Sequence, residues 1–158
     1  LISYLIDFYE YMGINMVNIN DCIASIAQNG ELNQTPKYTV TKAAKMLGLS
    51  VHTLRYYDSL KLFPFLQRDQ NEKRLFSDAD LQWAKLIECL RNANMSIKEV
   101  QHYVKLCLQG DETLDERLTI INQQEKILID TITELNEQLA LLRFKKSYYK
   151  KKKETRPF

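Results

Sequence analysis

The chain has 158 residues, 45% hydrophobic and 27% charged, with a formal net charge of +2. With only 4 Gly and 3 Pro, long loops and β-rich architectures are disfavoured, and a mainly α fold in one or two small domains is expected. No apolar run reaches membrane-spanning length.

The small net charge hides a strong partition. Residues 1–36 hold four acids and no Lys or Arg (−4), and residues 37–76 hold eight bases and three acids (+5). Residues 77–144 hold seven and twelve (−5), and residues 145–158 hold seven and one (+6). A compact basic segment in a nearly neutral protein points to an anionic polymer as partner. Cys22, Cys89 and Cys107 are odd in number and far apart, which predicts reduced thiols in a cytoplasmic protein rather than a disulfide framework.

In chain order, residues 1–36 read as an N-terminal extension with no assignable role. The opening "LISYLIDFYEYM" is apolar but carries Asp7 and Glu10 and no basic leader, so it is a poor signal peptide. Because the first residue is Leu, a start at Met12 or Met16, or a fragment boundary, stays open. Asn20 is expected to cap a short helix with Ile19, Ile23 and Ile26 on one face, stopped at Asn29-Gly30.

Residues 37–110 read as a winged helix-turn-helix domain. In "YTVTKAAKMLGLS", Thr39 or Thr41 is the N-cap, Val40, Ala43, Ala44 and Leu47 recur at helical spacing, and Gly48 is the left-handed stop. Ser50 caps a second helix that runs through Leu54 to about Ser59. Two short helices joined by a Gly-containing turn are the signature of a helix-turn-helix, whose second helix protrudes. Pro64 then ends helical structure. Apolar pieces at Phe63 to Leu66 and Leu75-Phe76 flank a polar turn, predicting a β-hairpin wing that carries Arg68, Lys73 and Arg74.

Ser77 caps the next helix, with Asp78 and Asp80 in its first turn and Trp83, Leu86, Ile87 and Leu90 as its expected core stripe. Asn94 is the expected left-handed stop. Ser96 and Glu99 form a capping box for a helix that ends near Gly110. Residues 111–150 read as a coiled-coil dimerisation helix. Leu114, Leu118, Ile121, Glu125, Leu128, Ile132, Leu135, Leu139, Leu142, Lys146 and Tyr149 alternate in steps of four and three, and nine of the eleven are apolar. A lone helix would leave that seam in water, so a second copy is the simplest partner. Glu125 is expected to set register. Residues 151–158 are a basic tail, and Lys150–Lys153 read as a solvated, frayed end, with phosphate contact the lesser reading.

A protruding helix suits the major groove of duplex DNA, where most hydrogen bonds go to phosphates and base edges carry specificity. Arg55 can bind a phosphate or the O6/N7 edge of guanine. Tyr56 offers a phenol on a rigid ring, and Tyr57, three residues past Leu54, is expected to be partly buried. His52 and Thr53 lie in the first turn, where base edges are met. The candidate DNA-binding residues are therefore Thr41, Ser50, His52, Thr53, Arg55, Tyr56, Tyr57, Arg68, Lys73 and Arg74.

The block "YTVTKAAKMLGLSVHTLRYYDSLKLF…KRLFSDADL" resembles the DNA-binding domain of the MerR family of transcription regulators over residues 38–108. Its most specific elements are Thr53-Leu54-Arg55-Tyr56-Tyr57 and Arg74. Lys61 and Glu72 depart from the family pattern, which usually has Gly at both positions. The resemblance implies a homodimer joined by an antiparallel coiled coil on a pseudo-palindromic operator. It also implies that the dimer distorts promoter DNA so that RNA polymerase can engage both promoter elements.

Residues 108–158 contain no Cys or His, so the family's metal-sensing arrangement lacks ligands. The drug-sensing arrangement, with a separate C-terminal ligand domain, is also disfavoured. "WAKLIECLRNANMSIKE…QGDETLDER" is similar to the small subgroup that responds to aldehydes and other electrophiles, in which a single cysteine stands in the place of Cys89. Lys85 and Arg91 could stabilise its thiolate, while Glu88 opposes that. Cys22 and Cys107 are read as packing residues, and a non-thiol effector remains the alternative. No Gly-rich phosphate loop, nucleophile elbow or metal cluster is present, so neither an enzyme nor a cofactor is expected. A structural coiled-coil adaptor would leave the basic helix-turn-helix unexplained.

Overall fold

The computed structural model describes residues 33–155; the helix expected behind Asn20 lies outside them. The described elements are β1 (Tyr38–Thr39), α1 (Val40–Leu47), α2 (Val51–Ser59), β2 (Gln67–Arg68), β3 (Arg74–Phe76), α3 (Asp78–Asn92), α4 (Ile97–Gln109), a 3-10 turn (Asp111–Thr113) and α5 (Leu114–Glu154). They divide at Gln109/Gly110 into two units.

Helix α1 begins where β1 ends. Thr39 is extended, and its side chain accepts from the Lys42 amide at 3.3 Å; Thr39, not Thr41, is the cap. Gly48 stops the helix at φ +67°, and the Leu49 amide donates back to Ala44 at 3.0 Å. A Cβ at Gly48 would meet nothing within 4 Å, so the backbone angle selects glycine there, not crowding.

Helix α2 is capped by Ser50, which accepts from the Thr53 amide at 2.9 Å. It ends in the same kind of motif without a glycine. Lys61 sits at φ +56°, its amide donates to Asp58 O at 2.8 Å, and the Leu62 amide donates to Tyr57 O at 3.1 Å. The wing turn repeats this at Glu72, φ +60°. There the Asp69 carboxylate accepts from the Asn71 and Lys73 amides at 2.8 and 2.9 Å. A left-handed residue with a Cβ costs about 1–2 kcal/mol, and glycine gives back about 0.5–1 kcal/mol in unfolded-chain entropy. Lys61→Gly and Glu72→Gly should therefore each stabilise the domain by about 0.5–1 kcal/mol, read as a higher urea midpoint. A lower midpoint in both would show that the two side chains hold contacts worth more than the strain.

The sheet has the order β1-β3-β2, with Tyr38 opposite Phe76, Thr39 opposite Leu75, Gln67 opposite Leu75, and Arg68 opposite Arg74. The wing strand expected at Phe63 to Leu66 lies instead at the polar pair Gln67–Arg68. Leu62 and Phe63 are buried, and the Phe63 ring meets Phe76 edge-on at 5.4 Å. Apolar residues beside a proline that cannot donate to a ladder are better used in the core than in an edge strand.

Helix α3 starts with a capping box, in which Asp80 accepts from the Ser77 amide at 2.8 Å and Ser77 accepts from the Asp80 amide at 3.2 Å. Its buried face is Ala79, Leu81, Ala84, Ile87 and Leu90, while Trp83 and Leu86 are only half-buried. The expected stripe is thus rotated toward the small residues. Ala43 and Ala44 of α1 are also buried, and close helix packing uses alanines where a size ranking would choose Trp. Asn94 at φ +63° ends α3 as expected. Ser96 and Glu99 form the expected box, at 2.6 and 3.3 Å, and the Ser96 hydrogen bonds hold the Glu99 carboxyl below its ordinary range.

At the start of α3, Asp78 accepts from Lys37 at 2.6 Å and from the Tyr38 hydroxyl at 2.9 Å. Those bonds hold its carboxyl below the usual range and push the Lys37 and Tyr38 values up. They fasten β1 to α3 above the ordinary carboxylate range, and the tie weakens as falling pH protonates Asp78.

In the second unit, α5 is a continuous 41-residue helix, about 60 Å long at 1.5 Å per residue. It runs through Lys150–Lys153 to Glu154, so the lysine run is helical where a frayed end is expected, and it is solvent-exposed as expected. Most of the predicted seam is exposed, including Leu118, Ile132, Leu135, Leu139 and Leu142.

Candidate nucleic-acid interface

Helix α2 has two opposed faces. Leu54 and Tyr57 are buried, whereas His52, Arg55, Tyr56 and Ser59 are exposed. Those four fall at i, i+3, i+4 and i+7, which places them on one stripe. Thr41 and Ser50 are exposed and Thr53 is half-buried. The Ser50 and Thr53 hydroxyls lie 2.8 Å apart.

The Arg-Tyr-Tyr trio therefore divides between the two faces. The buried Tyr57 hydroxyl donates to Glu88 Oε1 of α3 at 2.6 Å. Burial first, and then that hydrogen bond to a carboxylate, push the phenol well above its ordinary pKa. Tyr57 thus keeps its proton and fixes α2 on α3. A second tie comes from α4, where Gln101 Nε2 donates to the Leu60 carbonyl past the end of α2 at 3.0 Å.

The wing presents Lys73 exposed, Arg68 exposed and Arg74 half-buried. Both arginines reach Asp58 Oδ2 in the last turn of α2, at 2.9 Å from Arg68 and 2.5 Å from Arg74. Arg68 also donates to the Glu72 carbonyl at 3.3 Å. The domain thus brings the basic wing against the end of α2 through one carboxylate. Reasoning from sequence missed Asp58, Glu88 and Gln101, because their partners lie 10 to 41 residues away and no local spacing encodes them.

Cys89 is half-buried on α3 and is disulfide-bonded, so the expectation of reduced thiols does not hold at that position. Cys107 is half-buried and not in a disulfide. Arg91, expected near the Cys89 sulfur, donates to the Met95 carbonyl, and Glu88 is engaged by Tyr57. Among the described residues no group of His, Cys, Asp or Glu is placed to hold a metal ion, and no helix is long and apolar enough to cross a membrane.

Two short helices crossing at a Gly turn, a three-stranded wing and a supporting helix pair define a winged helix-turn-helix protein. Residues 38–107 match the family described as MerR HTH family regulatory protein. An uncharacterized HTH-type transcriptional regulator of Haemophilus influenzae is 41% identical over 116 residues, 73% of this chain and 86% of that one. Among solved structures, HiNmlR, a MerR family regulator lacking the sensor domain and bound to promoter DNA, is 41% identical with a TM-score of 0.63. That match covers 75% of this chain and 94% of the other. A MerR family transcriptional regulator from Bacillus thuringiensis is 34% identical with a TM-score of 0.59, covering 71% and 98%. The chain belongs to the MerR family of helix-turn-helix transcriptional regulators.

Proposed function

We propose that this regulator binds a pseudo-palindromic promoter operator as a homodimer, with α2 in the major groove and the wing on the flanking backbone. The observation that carries this is the exposed stripe His52–Arg55–Tyr56–Ser59 beside the cationic wing. Its support is the likeness to a relative bound to promoter DNA. His52, Thr53 and Arg55 meet base edges, while Thr41, Ser50, Tyr56, Arg68, Lys73 and Arg74 meet phosphates. Tyr57 takes a different part from the one its place in the trio suggests: it sets the angle of α2 through Glu88 and touches no DNA.

The dimer forms along the α5 seam. Distorting the promoter exchanges deformation energy for contacts and brings RNA polymerase onto both promoter elements. A cytoplasmic location follows from that role. The effector is an aldehyde or another electrophile that modifies Cys89 in its reduced form.

Salt-dependent gel shifts on operator and scrambled duplexes test the DNA contacts. Arg55→Ala should cost about 1–3 kcal/mol in operator affinity and relax specificity at one base pair. Lys73→Ala should weaken binding to all sequences alike and lower the salt slope by about 1. Unchanged affinity and slope in both variants would remove the groove-docking proposal.

A further inference from the structure

The two wing arginines do not stand as independent charges. Arg68 and Arg74 are cross-strand partners in the β2–β3 ladder, and like charges directly opposite one another are destabilising. Asp58 Oδ2 accepts from both, and its side chain is only 16% exposed against 39% for Arg68 and 26% for Arg74. Helix propensity does not explain this acid. Asp58 stands in the last turn of α2, where the helix dipole disfavours negative charge, and its backbone carbonyl is used separately by the Lys61 amide. The carboxylate lies where an operator phosphate would be drawn by the same two arginines.

We propose that Asp58 is a specificity-determining residue that withholds Arg68 and Arg74 from the phosphates of arbitrary DNA and yields them on the operator. The proposal rests on the DNA-binding reading above. Non-specific affinity comes almost wholly from neutralised phosphates, so two arginines shared with a carboxylate contribute less than two to it. An incoming phosphate also meets the Asp58 charge in a partly desolvated place, where repulsion exceeds its value in water. On the operator, base contacts from α2 hold the wing against one phosphate long enough for the arginines to reorient. Asp58 thus lowers binding to arbitrary DNA more than binding to the operator, where the fit of the recognition helix brings the phosphate onto the arginines.

The test uses the full chain under reducing conditions, with Asp58→Asn and Asp58→Glu titrated against operator and scrambled duplexes over a range of salt. Asp58→Asn should raise scrambled-duplex affinity several-fold and steepen its salt slope by about 1–2, one released phosphate contact per arginine. The ratio of operator to scrambled affinity should fall, and Asp58→Glu should restore it. Arg68→Gln added to Asp58→Asn should take back about one unit of slope. If Asp58→Asn does not fold, Asp58→Ser carries the same comparison. Equal weakening on both duplexes with an unchanged slope would make Asp58 a structural strut and overturn the proposal. Failure of the wild type to prefer the operator would instead overturn the DNA-binding reading itself.

Discussion

A chain carrying Leu135→Asp and Leu139→Asp should sediment as a monomer and lose specific operator binding. Leu135 and Leu139 are 57% and 42% exposed on α5, and Ile132 and Leu142 on the same stripe are 58% and 63% exposed. Burying one such side chain is worth about 1.5–3 kcal/mol, and a two-fold seam counts each position twice. Two acids per helix place four like charges in the proposed interface, where an uncompensated buried charge costs about 3–5 kcal/mol. The DNA-binding unit should stay folded, because its core residues Leu54, Leu62, Phe76, Ile87 and Val100 all precede Gly110. Specific affinity should fall because a monomer holds only one half-site. A variant that stays dimeric would show the seam to be misassigned. A monomer with wild-type operator affinity would remove the need for a dimer.

Cys89→Ser should bind the operator normally and abolish induction by a small aldehyde in a promoter-reporter assay, whereas Cys107→Ser should keep it. Cys89 is half-buried on α3, and its neighbour Glu88 accepts the hydrogen bond from Tyr57 of α2 at 2.6 Å. An adduct on the reduced sulfur adds volume on the same turn of α3 that carries Glu88. Packed interiors answer added volume by shifting elements at about 1–3 kcal/mol, the same size as a typical allosteric coupling. On the proposed mechanism, the shift of α3 reaches α2 through Glu88 and Tyr57 and changes the angle of the recognition stripe. Tyr57→Phe should then keep the fold and weaken induction along with operator affinity. Full induction in Cys89→Ser would leave Cys89 as a packing residue and point to a non-thiol effector.

Much of the architecture was legible in local signals, since caps and stops act over three to five residues. Ser50, Ser77 and the Ser96–Glu99 box start helices where they were expected, and Gly48 and Asn94 end them at positive φ. Lys61 and Glu72, noticed as departures from a family pattern, stand in the left-handed conformation that makes glycine the easy choice. Signals that depend on which surface a helix meets were harder. The expected α3 stripe holds at Ile87 and Leu90, but Ala79 and Ala84 are buried where Trp83 and Leu86 are only half-buried. The apolar run expected to form the wing strand forms none: Phe63 enters the core, while Phe65 stays exposed.

By itself, the sequence determined the helix-turn-helix, the outward direction of Arg55 and Tyr56 and the period of the α5 seam, because helical spacing sets them within one element. Only the tertiary structure decided that the buried Tyr57 meets Glu88 and that Asp58 gathers Arg68 and Arg74 at the end of α2. It likewise decided that β1 completes the wing sheet. Each of those features pairs groups far apart in the chain, and a hydrogen bond or ion pair forms only after folding has placed both partners within about 3 Å.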